Sequence, residues 1–234
     1  MIYVRSAIFW LYLPLWTTLV SIACLPLMFF GSEKVVAFSG YLWAKGVLFG
    51  LRVICNIKMS IRGKENLPPA PYIIACKHQS VFETVMFHIL LTAPVYVLKK
   101  ELLRIPIFGR YLTNMGMIAI DRSAKASAMK DLIRASNHAL MNGRAVIIFP
   151  EGTRIPVDEK GVYHPGVAAI YSQSQAPVVP VALNSGRHWP RTTFLKTPGT
   201  VTIQYLPPIY PGLKRDEFMK QLEEGIEVAS AKLL

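Results

Sequence analysis

The stretch Tyr72-Ile73-Ile74-Ala75-Cys76-Lys77-His78-Gln79-Ser80-Val81-Phe82-Glu83-Thr84 decides how this chain folds. Its first five residues form an unbroken apolar run, which reads as a buried strand. From Val81 to Leu91 the apolar residues fit a helix, and Ser80 offers it a start. The unit is therefore strand, turn, helix, with an imidazole in the turn. His78 and Glu83 are five residues apart, about 140° apart on a continuous helix and on opposite faces of a strand. They can meet only if His78 precedes the helix and Glu83 lies one turn inside it. The same residues admit other readings. Ser80-x-x-Glu83 has the spacing of a capping box, with Ser80 as N-cap and Glu83 reaching back to it. Cys76 shares a face with His78 at period two, which allows a Cys–His nucleophile, although an apolar strand suits an inert structural thiol better.

Working outward, the same alternation recurs. Val95 to Leu98, Met117 to Ile120, Ala145 to Phe149, Val178 to Leu183 and Val201 to Leu206 read as strands. Met129, Leu132, Ile133 and Leu140 mark a helical stripe that Gly143 ends, and residues 213 to 233 form a charge-rich amphipathic helix. Strands alternating with helices predict an α/β fold, a mixed and largely parallel sheet flanked by helices. Neither GxGxxG nor GxxxxGK[ST] occurs, so no glycine-rich nucleotide loop is expected.

The N-terminus differs in composition. Residues 6 to 32 carry no charge; as a helix they would be about 40 Å long, enough to cross a hydrocarbon core. No small-x-small cleavage site is evident, so a signal peptide is not expected. Pro14 and Pro26 would kink the run, which leaves a shallow hairpin open. Val35 to Ile57 is apolar but contains Lys45 and Arg52, which favours an interfacial helix over a second span. We expect residues 1–57 to attach to a membrane and residues 58–234 to form the α/β domain. A net charge of +12 with 52% hydrophobic residues suits an anionic membrane surface rather than nucleic acid. The three cysteines show neither a disulfide framework nor a zinc spacing, as in a reducing compartment.

A second unusual stretch is Phe149-Pro150-Glu151-Gly152-Thr153-Arg154. It leaves a strand abruptly and sets an acid, a hydroxyl and a guanidinium where α/β strand ends commonly carry sites; alone it is also an ordinary polar turn. Together with His78-x4-Glu83, and with Gly116-Met-Ile-Ala-Ile-Asp121-Arg122 and Val179-Pro180-Val181-Ala182 in order, the chain resembles the glycerolipid acyltransferases, most closely the bacterial 1-acylglycerol-3-phosphate acyltransferases. The resemblance runs from about Gly63 to Leu206. One departure is that the Asp usual in the first block is Glu83 here, one methylene longer.

The resemblance implies transfer of a fatty acyl group from an acyl thioester, acyl-CoA or acyl-carrier protein, to the sn-2 hydroxyl of lysophosphatidic acid. A thioester is already activated, so no metal or other cofactor is expected. His78 would be the base for the hydroxyl, with Glu83 fixing its tautomer. Glu151, Gly152, Thr153 and Arg154 would help hold the glycerol phosphate, Arg by a bidentate contact. Arg122 and Lys100 are further candidates for the same anion. Eleven basic and five acidic residues between Lys77 and Arg154 suit that charge. The implied partners are membrane lipids, lysophosphatidic acid and the acyl donor, without nucleic acid. The implied place is the bacterial inner membrane, with the site facing the cytoplasm. Two alternatives stay open: an acyltransferase for another lyso-lipid, or a non-catalytic membrane-anchored lipid-binding protein.

Overall fold

The run that opens the reading becomes β2 (Ile73–Cys76), and all four of its residues are buried. The computed structural model describes residues 1–121 and 124–234. β2 lies between two other apolar strands, β5 (Val146–Ile148) and β6 (Val178–Leu183). Continuous apolar runs of this kind are what a strand covered on both faces requires. With β1 (Ile57–Arg62), β3 (Val95–Lys99), β4 (Ile118–Ile120) and β7 (Gly199–Tyr205), they form a seven-stranded sheet of order β1-β7-β6-β2-β5-β3-β4. Every pairing is parallel except that of β6 with β7. The fold is thus the mixed, largely parallel α/β sheet that the sequence predicts.

Alternation along each strand divides the core in two. Ile73, Val146 and Val178 face α6 (Lys125–Met141), α7 (Gly166–Ser174) and α9 (Arg215–Ala231), meeting Leu132, Val167, Phe218 and Leu222. Ile74, Cys76, Val179 and Val181 face the other way, toward Val85 and Phe87 of α4 (Phe82–Leu90). Two short helices, α5 (Phe108–Asn114) and α8 (Ser185–His188), complete the set among the described residues of the α/β region.

The N-terminal run forms α1 (Ile2–Ala23), with Pro14 inside it, and a short α2 (Leu25–Phe30) with Pro26 in its first turn. α3 (Glu33–Ile54) then returns along α1 as a hairpin. Gly46 and Gly50 make the contact close. A Cβ on Gly46 would stand 2.0 Å from the Trp16 ring, and one on Gly50 would stand 2.3 Å from the Tyr12 ring. Tyr12 Oη donates to the Gly46 carbonyl and Trp16 Nε1 to the Trp43 carbonyl, both at 2.9 Å.

The stretch Val35 to Ile57, expected as an interfacial helix rather than a second span, has one face in the core and one face outside it. Lys45 and Arg52 are exposed, but Ala44, Val47 and Leu51 are fully buried and share one apolar cluster with Phe9, Ile74 and Phe87. α3 packs against α1, α4 and β1. By contrast, Leu11, Leu15, Leu19 and Ile22 of α1 are each at least 60% exposed, and by length and composition α1 could cross a membrane.

Candidate functional site

Because β2 and β5 are parallel neighbours, their C-terminal ends lie side by side. The first carries His78 and the second runs into Phe149-Pro150-Glu151, so two stretches some seventy residues apart meet at one sheet edge. This is the edge at which open α/β sheets present their sites.

His78 Nδ1 lies 2.9 Å from Glu83 Oε1. The same oxygen accepts the backbone N–H groups of Gln79 and Ser80, each at 2.6 Å. Oε2 accepts the hydroxyl of Ser185 at 2.7 Å. The helix-start and pairing readings therefore do not compete, since one buried carboxylate turns the loop and holds the imidazole. Ser80 contributes separately, its Oγ accepting the Phe82 N–H at 3.1 Å, while the first helical residue is Phe82. A carboxylate surrounded by donors acts only as an acceptor, so in the neutral imidazole the proton belongs on Nδ1 and Nε2 is the acceptor. The ring is stacked on Phe149, with centroids 4.0 Å apart.

Cys76 does not serve His78. The thiol is fully buried with Sγ 3.2 Å from the Lys77 carbonyl, and burial pushes its pKa well up, so it has little thiolate character. His88 is packed against Tyr96 and held neutral by burial, its pKa lowered to about 4.

His78 opens onto a cavity of about 1080 Å³, at the upper end of the range for small-molecule sites. Gly152, Thr153 and Arg154 line it, as do Tyr96, Leu98, Met117 and, from the N-terminal hairpin, Val20 and Trp43. Gly152 has φ +62° and turns the chain sharply after β5, its N–H donating to the Phe149 carbonyl. Lys99, His164 and Arg191 also line the cavity, and Arg191 donates to the Arg154 carbonyl at 3.3 Å.

Two expected phosphate contacts are placed elsewhere. Glu151 does not line the cavity; its carboxylate points inward, accepting Lys77 Nζ at 3.0 Å and the His78 N–H at 2.8 Å. Burial raises its pKa, while Lys77 and the His78 N–H draw it back down. Lys100 is exposed and 3.5 Å from Asp121, and its neighbour Lys99 is the one that lines the cavity. Arg122 lies outside the described residues. Among the described residues, no group of three or more His, Cys, Asp or Glu side chains is placed to hold a metal ion.

Sequence reasoning missed Lys77, Ser185, Arg191 and Glu227. Ser185 had a signal, since it lies two residues beyond the end of β6, at the strand ends where α/β sheets carry their sites. Glu227 had none, because its partner Lys77 is 150 positions away.

Residues 58–184 match the family model described as acyltransferase. A 1-acyl-sn-glycerol-3-phosphate acyltransferase from Pseudomonas aeruginosa is 40% identical over 161 residues, 69% of this chain. The match spans 63% of that protein, less than two thirds of its length. A protein of the same description from Limnanthes douglasii is 31% identical over 73% of this chain and 63% of its own. The crystal structure of the 1-acyl-sn-glycerophosphate (LPA) acyltransferase from Thermotoga maritima superposes with a TM-score of 0.81, covering 100% of this chain and 98% of that one. At 22% identity that likeness concerns the fold.

Proposed function

Because the chain belongs to the acyltransferase family, we propose that it transfers a fatty acyl group from an acyl thioester to the sn-2 hydroxyl of 1-acylglycerol-3-phosphate, giving phosphatidic acid. The donor is acyl-CoA or acyl-carrier protein, and no cofactor is needed beyond it. The observation that carries this reading is the His78–Glu83 pair, Nδ1 to Oε1 at 2.9 Å, on the wall of a cavity that Arg154 also lines.

In the proposed reaction the glycerol hydroxyl is the nucleophile. Nε2 of His78 takes the hydroxyl proton as the oxygen bonds to the thioester carbonyl carbon. Glu83 holds the ring in the Nδ1–H tautomer and stabilises the imidazolium as it forms. The carbon–sulfur bond of the tetrahedral intermediate then breaks, and the imidazolium gives its proton to the departing sulfur. An ester and a free thiol result, and His78 is neutral again. Arg154 and the Gly152–Thr153 backbone hold the acceptor phosphate, where a planar guanidinium can make two parallel contacts. Glu151 acts on His78 rather than on the phosphate.

Residues 1–57 attach the site to the membrane, since the outward side chains of α1 are apolar and only 17% of its most apolar stretch is buried. There the lyso-lipid meets the cavity from the bilayer. The bacterial inner membrane, with the site toward the cytoplasm, is the place this reading requires.

The direct test is turnover of the full chain with a panel of lyso-lipids, each offered acyl-CoA and acyl-carrier-protein donors. Lysophosphatidic acid should be the best acceptor, and His78→Ala should abolish transfer. Preference for a lyso-lipid with another head group would move the assignment to that acceptor. Binding without turnover for every pair would leave a lipid-binding protein.

A further inference from the structure

Lys77 precedes His78, and its side chain is 1% exposed. Lysine is almost never buried so fully unless paired, because removing an ammonium from water costs several kcal/mol. Its Nζ lies 3.0 Å from Glu151 Oε1 and 2.7 and 2.9 Å from the two carboxylate oxygens of Glu227 on α9. Tyr163 Oη donates to Glu227 at 2.9 Å. None of these four side chains lines the cavity, so a phosphate contact does not account for the buried charge. What the group does touch is the backbone of His78. Glu151 Oε2 accepts the His78 N–H at 2.8 Å, and the Ile155 N–H, four residues beyond Glu151, donates to the His78 carbonyl at 2.8 Å. Both backbone polar groups of His78 are thus held by the segment that follows β5, and Lys77 holds that segment to α9.

We propose that Lys77 is a positioning residue for His78: clamped between Glu151 and Glu227, it fixes the Glu151 carboxylate against the His78 amide and ties the histidine loop to the C-terminal helix. The inference rests on the acyl-transfer reading of His78. Without the ammonium, burial would favour the protonated form of Glu151, and a neutral carboxyl accepts the amide hydrogen bond more weakly. His78 would then lose one of its two backbone anchors. Glu227 makes α9 part of this arrangement although the helix is remote from the substrate.

The test uses the full chain in detergent micelles, with 15N-labelled histidine. Long-range proton–nitrogen spectra report the His78 tautomer, and steady-state kinetics report kcat and KM separately. Lys77→Met should lower kcat by about tenfold or more, since small misplacements of a catalytic group are costly, with the lysophosphatidic acid KM unchanged. The His78 ring should pass from one tautomer to an exchanging pair. The double variant Lys77→Met/Glu227→Gln removes the uncompensated carboxylate pair; it should regain thermal stability without regaining kcat or the single tautomer. It also serves if Lys77→Met alone fails to fold. A double variant with wild-type kcat and one tautomer would overturn the proposal and leave Lys77 as packing. Should the wild type itself transfer no acyl group, the acyl-transfer reading falls, while the spectra still decide the clamp.

Discussion

Replacing Ser185 by Ala removes one hydroxyl from the deepest part of the site. Ser185 and Glu83 are both fully buried, and the hydroxyl donates to Glu83 Oε2 at 2.7 Å. The other three donors to the carboxylate all point at Oε1. Truncation therefore leaves one oxygen of a buried anion without that partner. A hydrogen bond to a charged group contributes about 1.5–3 kcal/mol, so a loss of about 2 kcal/mol is expected. For a chain of this size each kcal/mol moves Tm by roughly 2–4 °C, giving a fall of about 4–8 °C. Thermal denaturation of the detergent-solubilised protein reads this out. Ser136→Ala is the control: that hydroxyl is equally buried but has no hydrogen-bond partner among the described residues, so its removal should be neutral or slightly stabilising. A Ser185→Ala Tm equal to that of the wild type or of Ser136→Ala would mean that the Ser185 hydroxyl contributes nothing to holding Glu83.

Arg154→Ala should lose about 1.5–3 kcal/mol of interaction with the acceptor phosphate, seen as a raised acceptor KM. Lys should rescue it partly because it lacks the guanidinium fork, and a raised donor KM instead would assign Arg154 to the other substrate. His88 makes stability fall in acid. Its folded pKa is lowered to about 4 by burial, below the ordinary 6.5, so the unfolded chain binds the proton first. The contribution is intact above pH 6.5 and is lost as pH falls toward 4, by up to about 3 kcal/mol. Thermal scans of His88→Gln against the wild type at pH 7 and pH 4.5 should show the smaller acid loss in the variant; parallel losses would contradict the assignment.

How much of this was legible depended on the distance over which each feature is encoded. β6 matches its expected bounds, Val178 to Leu183, because a strand buried on both faces is an apolar run. β1 escaped notice: Ile57-Lys58-Met59-Ser60-Ile61-Arg62 mixes charged and apolar residues, as a strand at the sheet edge can. α7 escaped because Val167, Ala168, Ile170 and Tyr171 are all buried and its exposed polar residues, Ser172 and Gln173, come only in its last turn. Spacing left a choice for Glu83 between capping and pairing, which assumed that one carboxylate has one partner. A carboxylate has about four acceptor sites, and burial recruits donors to fill them. Glu151 was misplaced for the opposite reason. An acid in an exposed-looking Pro-Gly turn gives no hint that a lysine 74 positions earlier faces it in the interior. The fold of the α3 hairpin partner was similarly hidden, because Lys45 and Arg52 mark only its outward side while Ala44, Val47 and Leu51 mark the side that faces the sheet.

In the proposed reaction the charge of Glu83, not merely its shape, serves His78. Glu83→Gln isolates that charge. The amide oxygen can still accept from His78 Nδ1 and from the Gln79 and Ser80 N–H groups, and the amide nitrogen can donate to Ser185 Oγ, with the hydroxyl now accepting. The loop and the start of α4 should therefore survive; the weaker, neutral hydrogen bonds should cost about 1–2 kcal/mol, a fall in Tm of about 2–8 °C at roughly 2–4 °C per kcal/mol. An amide cannot stabilise an imidazolium as a carboxylate does. The measurement is kcat of Glu83→Gln with lysophosphatidic acid and an acyl thioester, beside its Tm. A fall in kcat on the order of 10² or more is expected in a protein that stays folded at the assay temperature, with Glu83→Asp partly active. Near-normal turnover by Glu83→Gln would contradict this and leave Glu83 as the residue that only turns the loop.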